Sequence, residues 1–156
     1  MVPTTIVNAL TVVHKDSDGI ATCSAPDVCK TPPQPVPLPY TNVAFSKDLV
    51  KGTTTVFVDG QMVAIKDCEF STSTGDEPGS VGGVSSGCIK GWAKFSNYST
   101  DVFFEGRNVC RLTDPMIMNG NNPNTATVAE AQGNIKDVLG DKMDLLCRAF
   151  CFCDGG

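Results

Sequence analysis

Hydrophobic and polar positions alternate over short stretches of this chain, and one such stretch occurs twice. Residues 56–63 read Val-Phe-Val-Asp-Gly-Gln-Met-Val, and residues 102–109 read Val-Phe-Phe-Glu-Gly-Arg-Asn-Val. Each copy continues to an aspartate, Asp67 or Asp114. Because glycine accepts the positive φ of a tight turn, an acidic residue followed by glycine between strand-forming residues favours a hairpin. The pattern therefore predicts two β-hairpins, with Gly60 and Gly106 as structural turn residues.

The pattern outside the near-repeat also favours short strands, until it changes near the C-terminus. β-Branched residues at 4–13 predict a strand, which with the 20–40 segment is expected to supply a degenerate third unit. Five prolines at 31–40 are expected to run extended across a surface, unpaired within a sheet. From Val128 to Phe150 the apolar spacing becomes helical, with Thr127 as the N-cap. We therefore predict a mainly β domain at 1–125 and a helical extension or linker at 126–156, leading toward a C-terminal effector.

Composition and charge narrow the function classes. Fifteen glycines and ten prolines suit a turn-rich β protein better than a helical bundle. The net charge of −5 and the absence of a basic stripe argue against a nucleic-acid-binding surface. No apolar run is long enough for a membrane anchor, and the first residues lack the features of a signal peptide. We expect a protein that is made and folded in a reducing cytoplasm.

The chain has eight cysteines and one histidine, which limits its chemistry. In a reducing compartment, free thiols or a metal site are favoured over disulfides. Nucleophilic catalysis finds little support, because His14 is the one histidine and no Gly-x-Ser-x-Gly motif is present. Acidic residues such as Asp76 and Glu77 are interpreted as solvated turn residues. We therefore predict no enzyme and no catalytic residue; an alternative function is a cytosolic, cysteine-based metal- or redox-responsive binding protein.

Four segments, in order, resemble the PAAR-like domains of type VI secretion systems. They are Asp-Val-Cys-Lys-Thr-Pro-Pro at 27–33, Pro-Leu-Pro-Tyr-Thr-Asn at 37–42, Phe-Ser-Thr-Ser-Thr-Gly-Asp-Glu at 70–77 and Asn-Val-Cys-Arg-Leu-Thr-Asp at 108–114. The resemblance covers roughly residues 5–125 and implies a small cone of short hairpins with pseudo-threefold character. It further implies a spike tip that caps the trimeric valine-glycine repeat protein and carries a fused or bound toxin, loaded by an adaptor or chaperone. Such a protein is cytoplasmic before firing and is then delivered into a target cell.

The resemblance also implies a zinc ion near the point of the cone, held by histidine and cysteine ligands. His14 and Cys29 stand where such ligands are expected, and Cys23 or Cys110 could complete the set. Met118 and Gly120 occupy positions where relatives often have histidine. The alternative is that His14 is an ordinary turn histidine. A second cysteine group, at 147, 151 and 153, does not have a usual zinc spacing and is better explained by packing or contacts.

Overall fold

A computed structural model describes residues 3–122 of the chain and the backbone of residues 125–130. These residues form short strands and one 3₁₀ turn, Ser46–Asp48. In chain order, the strands are β1 Ile6–Val7, β2 Leu10–Thr11, β3 Gly19–Cys23, β4 Asp27–Thr31, β5 Val36–Tyr40, β6 Val43–Phe45, β7 Leu49–Val50, β8 Phe57–Val58, β9 Gln61–Met62, β10 Glu69–Phe70, β11 Gly82–Gly83, β12 Ala93–Phe95, β13 Phe103–Phe104, β14 Arg107–Asn108, β15 Pro115–Ile117 and β16 Thr125–Glu130. The predicted mainly β fold is confirmed.

Three β-hairpins of the same geometry recur along the chain: β1–β2, β8–β9 and β13–β14. In each, the two central turn residues have positive φ, as type I′ turns require. These turn pairs are Asn8–Ala9, Asp59–Gly60 and Glu105–Gly106. The two hairpins predicted from the near-repeat are therefore present, and a third precedes them.

The first hairpin corrects the prediction of one strand over residues 4–13. Ile6 pairs with Thr11 across the turn, so the segment folds back on itself. Its turn was missed because Ala9, with φ 64°, stands where the other two hairpins have glycine. This hairpin, rather than a strand combined with the 20–40 segment, begins the third unit.

We call each hairpin, together with the residues that lead into it and those that follow it, a unit. The residues that follow the three hairpins bond to one another and close a ring of backbone hydrogen bonds. Ala64 N donates to Val13 O at 2.8 Å, Val13 N to Cys110 O at 3.2 Å, and Cys110 N to Ala64 O at 2.9 Å. The isolated bridges follow the same cycle: His14 with Val63, Ile65 with Val109, and Arg111 with Val12. Because each unit contacts the next in an equivalent way, the body has pseudo-threefold character.

The core has two parts, which follow this arrangement. A smaller apolar cluster lies among the hairpins and consists of Val7, Val12, Val58, Val63, Ile65 and Val109. A larger cluster includes Leu49, Met116 and Met118, as well as Phe70 and Phe95, whose rings meet edge to face at 5.7 Å. Strands β3, β6, β7, β10, β12 and β15 contribute to this larger cluster and belong to a seven-stranded sheet of order β6-β3-β16-β15-β12-β10-β7.

The proline-rich segment corrects a second prediction. Strand β5 pairs with β4 along its whole length and is the edge strand of a three-stranded sheet of order β11-β4-β5. Prolines are tolerated at such an edge when the residues between them supply the ladder's N–H groups. In β5 the residues that are not proline, Val36, Leu38 and Tyr40, stand opposite Thr31, Cys29 and Asp27, so residues 36–40 are paired rather than unpaired.

The predicted C-terminal helix falls mostly outside the described residues. Its expected start is wrong, because Thr127 and Val128 lie in strand β16, which pairs with β3 and β15. The rest of the helix and the cysteines at 147, 151 and 153 are not among the described residues. Within the part of the chain that the structure describes, no helix has the length and apolar character needed to cross a membrane.

Candidate functional site

Each hairpin exposes one large apolar side chain at the same position. Ile6, Phe57 and Phe103 are the first residues of β1, β8 and β13, and they are 36%, 57% and 53% exposed. Side chains alternate along a strand, so the next residue in each hairpin turns toward the smaller cluster. We call the three exposed residues the hairpin face.

The turn of each hairpin is fastened to the segment that precedes another hairpin. The Glu105 carboxylate accepts the N–H groups of Thr54, Thr55 and Val56 at 2.8, 2.6 and 3.0 Å. Asp59, its counterpart in the second hairpin, accepts the N–H and hydroxyl of Thr4 at 3.0 and 2.6 Å. These contacts tie the hairpins together.

The first hairpin completes the cycle with a neutral turn residue. Asn8 Nδ2 donates to Asp101 Oδ1 at 2.9 Å, and Ser99 Oγ donates to Asn8 Oδ1 at 2.7 Å. The first hairpin is thus fastened to the third unit, the second to the first, and the third to the second.

These contacts also set the ionisation of the turn residues. Hydrogen bonds, first of all from the backbone of Thr55, lower the pKa of Glu105 to about 2. Burial alone would raise the pKa of Asp59, but the hydrogen bonds from Thr4 outweigh it and lower that pKa. Both turns therefore carry a negative charge at neutral pH.

His14 lies beneath this network. Its Nδ1 accepts the N–H of Asp16 at 3.2 Å, and its Nε2 lies 3.4 Å from Asp59 Oδ2 without forming a hydrogen bond. Burial lowers the pKa of His14, although Asp59 and then Asp16 partly oppose the effect. The side chain is therefore a buried, neutral imidazole next to the turn of the second hairpin.

A second polar centre lies away from the hairpins, where strand β4 meets the loop that follows β10. Asp27 and Cys29 on β4 approach Asp76, which follows β10, and all three are fully buried. Cys29 Sγ lies 3.6 Å from Asp27 Oδ2 and 4.0 Å from Asp76 Oδ2. Among the described residues, Asp27, Cys29 and Asp76 are the three potential metal ligands that lie together, with their ligand atoms within 4.8 Å of one another.

Three buried asparagines surround the group. Asn42, Asn119 and Asn122 each donate a side-chain N–H to Asp27, at 3.3, 2.9 and 2.5 Å. They come from the segment before β6 and from the loop after β15. We call these six residues the loop network: Asp27, Cys29, Asn42, Asp76, Asn119 and Asn122.

Burial dominates the electrostatics of the loop network. Burial, followed by the charge of Asp27, raises the pKa of Cys29 to about 12, so its sulfur is a thiol at neutral pH. Burial also raises the pKa of Asp76 to about 6, with Asp27 adding to the shift and the backbone N–H of Lys90 opposing it. A protonated and inaccessible thiol is a poor nucleophile. The arrangement gives no support to catalysis on an external substrate.

The structure does not bring the predicted zinc ligands His14, Cys23, Cys29 and Cys110 together. Of the four, Cys29 belongs to the three-residue group, and His14 stands near the hairpin turn. Cys110 is a ring residue buried in the larger cluster, and Cys23 Sγ accepts the N–H of Asn42 at 3.0 Å. The separation arises because His14 and Cys110 directly follow hairpins, whereas Cys29 lies beyond strand β3. The five described cysteines are all free.

Several residues of these sites were not recognised in the sequence. Asp76 is buried, so its interpretation as a solvated turn residue is wrong. Asp27, Asn42 and Asp76 nevertheless lie within the segments that carry the family resemblance, which was the signal available for them. Asn119 and Asn122 belong to an Asn-Gly-Asn-Asn run, whose composition is typical of coil.

A family model and a known protein match parts of this chain. Residues 20–126 match the family model described as the toxin PAAR-like domain. The DNase toxin Tse7 of Pseudomonas aeruginosa strain PAO1 is 39% identical to this chain over 116 residues. The match covers 69% of this chain and 30% of that protein, so the chain spans less than a third of its relative's length. No solved structure matches the chain.

Proposed function

Because the chain belongs to the toxin PAAR-like domain family, we propose that its β body is the structural tip of a type VI secretion spike. In this role it caps the trimeric valine-glycine repeat protein and carries a fused or bound effector. The hairpin face is the surface that meets the trimer.

One observation carries this proposal: a single chain exposes equivalent apolar residues, Ile6, Phe57 and Phe103, on three pseudo-symmetric hairpins. A threefold-symmetric partner presents the same surface three times, and a monomer can match it by repeating its own contacts. Exposed aromatic and aliphatic side chains supply the apolar burial typical of an interface centre. The contacts of Asn8, Asp59 and Glu105 keep the three hairpins in fixed positions.

The role of the body is mechanical rather than catalytic. The relative is named as a DNase toxin, and this chain spans 30% of its length. We place any nuclease or other toxin activity outside the matched region, since the buried loop network offers no accessible reactive group. The protein would reside in the cytoplasm before firing, with an adaptor or chaperone to load it, and would then be delivered into a target cell.

The alternative of a redox- or metal-responsive binding protein has less support. Such a sensor needs an accessible thiolate. Of the five described cysteines, Cys29, Cys68 and Cys110 are fully buried, and Cys23 and Cys88 are partly exposed.

Co-purification with a trimeric valine-glycine repeat protein, followed by light scattering, tests the proposal. We expect one chain per trimer. Replacing Ile6, Phe57 and Phe103 together by serine should weaken binding by roughly 100-fold, since two or three such contacts supply a few kcal/mol. The matched control replaces Val36 and Leu38, apolar residues about equally exposed elsewhere on the surface, by serine. Undiminished binding by the triple variant, or three chains per trimer, would contradict the proposal.

A further inference from the structure

We propose that the loop network joins the three units by hydrogen bonds alone, and that Asp27, Cys29 and Asp76 do not hold the zinc ion that the family resemblance implies. The inference does not depend on which face meets the spike. It concerns how this end of the body is held together.

The orientation of the asparagine side chains is the first argument. Asn119 Oδ1 accepts the N–H of Gly91 at 3.0 Å, and Asn122 Oδ1 accepts the N–H of Ser85 at 3.0 Å. Asn42 Oδ1 accepts the N–H of Val43 at 3.2 Å. Since the oxygens are engaged by backbone donors, the Nδ2 groups face Asp27. An amide N–H directed at the centre of the group repels a cation, whereas a metal site would need the oxygen there.

The carboxylates are the second argument. Asp27 Oδ2 accepts from Asn42 and Asn119, and its Oδ1 accepts from Asn122, so most of its lone pairs are used. The two oxygens of Asp76 each lie 3.1 Å from Lys90 N. Asp27 therefore has little acceptor capacity left for a metal ion, and Asp76 is already engaged by a backbone donor.

The third argument is the number and type of ligands. A structural zinc site has four ligands, usually cysteine and histidine. Here the described residues supply one thiol and two carboxylates. The nearby Cys88 Sγ contacts Asn119 O and Oδ1 at 3.6 and 3.5 Å. No histidine is within the group, because His14 lies next to Asp59.

The network is also complete without an ion. Among the described residues, His14 Nε2 is the buried side-chain nitrogen or oxygen that lacks a hydrogen-bond partner, and it lies outside the network. The ligand atoms of Asp27 on β4 and of Asp76, which follows β10, lie within 4.8 Å of one another. Asp27 also accepts from Asn119, which follows β15. These residues come from all three units.

Metal analysis of the full chain gives the first test. The protein is purified from cells grown with added zinc, and its metal content is measured by mass spectrometry. Melting is then followed with EDTA and with added zinc. We expect substoichiometric metal and the same melting temperature in both conditions. Stoichiometric zinc, or a melting temperature that falls in EDTA, would overturn the inference.

The Asp76→Asn variant gives a second and sharper test. An asparagine amide oxygen can accept from Lys90 N, and the substitution removes a buried negative charge from beside Asp27, so the hydrogen-bonded network should keep or raise its melting temperature. A metal site would instead lose a charged ligand and become less stable. The matched control is Asp67→Asn, an exposed acidic residue outside the network. Cobalt(II) added to the parent protein should give no thiolate charge-transfer band; such a band, or a clear loss of stability in Asp76→Asn alone, would refute the inference.

Discussion

The Glu105 carboxylate accepts the backbone N–H of Thr55 at 2.6 Å, which fastens the turn of the third hairpin to the start of the second unit. Asp59 does the same for Thr4 in the first unit. A turn residue thus has two functions here. It closes its own hairpin, and it fixes the position of a neighbouring one.

Acidification should loosen the Glu105 contact. The folded-state pKa of Glu105, about 2, lies below its ordinary value of 4.5, so the unfolded chain binds the proton more readily. The stabilisation is therefore complete above pH 4.5 and is lost as the pH falls toward 2. Glu105→Gln should reduce the loss of melting temperature between pH 5 and pH 2.5. Asp67→Asn is the control, and an identical acid profile for Glu105→Gln and the parent would contradict the assignment.

The alanine in the first hairpin turn should be a removable source of strain. Ala9 has φ 64°, a conformation that disfavours a residue with a Cβ atom. Ala9→Gly removes this strain but increases the entropy of the unfolded chain, for a net gain of roughly 0.5–1 kcal/mol in unfolding free energy.

The reverse change provides the matched control. A Cβ atom on Gly60 would meet no atom within 4 Å, so only its φ of 75° opposes substitution. Gly60→Ala should therefore lower the unfolding free energy by roughly 0.5–1 kcal/mol. Urea denaturation measures both variants. Equal stability of Ala9→Gly and the parent would show that the first turn is not strained.

The same turns show how far the sequence could predict this fold. Two hairpins were predictable, because Asp59–Gly60 and Glu105–Gly106 carry a strong local turn signal. The third was not, because Asn8 and Ala9 adopt the same turn only when the ring of Val13, Ala64 and Cys110 holds the units in place. A tertiary constraint there overrides a weak local preference.

The loop network was less predictable, for a different reason. Asp27, Asn42 and Asp76 are far apart in the chain, and aspartate and asparagine in loops usually indicate solvated turns. Their burial follows from the way the three units bring their loops together, which no local pattern encodes. Strand β16 likewise has a spacing that also fits a helix, and pairing with β3 and β15 decides its conformation.

The larger core cluster should depend strongly on Phe70. Its ring is fully buried and packs edge to face on Phe95. Phe70→Ala should lower the unfolding free energy by about 3–5 kcal/mol, through lost burial and the cavity left behind. Phe57→Ala, at a residue that is 57% exposed, is the control and should change it far less. Comparable losses in both variants would contradict the core assignment.

His14 should make the fold sensitive to pH between 7 and 5. Its folded-state pKa lies below 6.5 because the ring is buried, so the unfolded chain binds the proton more readily. The resulting stabilisation is present above pH 6.5 and declines as the pH falls, by at most about 1.4 kcal/mol per pH unit. Asp76 acts in the opposite sense, because its folded-state pKa of about 6 is raised, so the difference between parent and variant is the quantity to measure. Isoleucine is the matched replacement, because Ile65 follows Ala64 as His14 follows Val13. In His14→Ile, the unfolding free energy should fall less from pH 7 to pH 5 than in the parent. Parallel pH profiles for the two proteins would show that His14 does not titrate in this way.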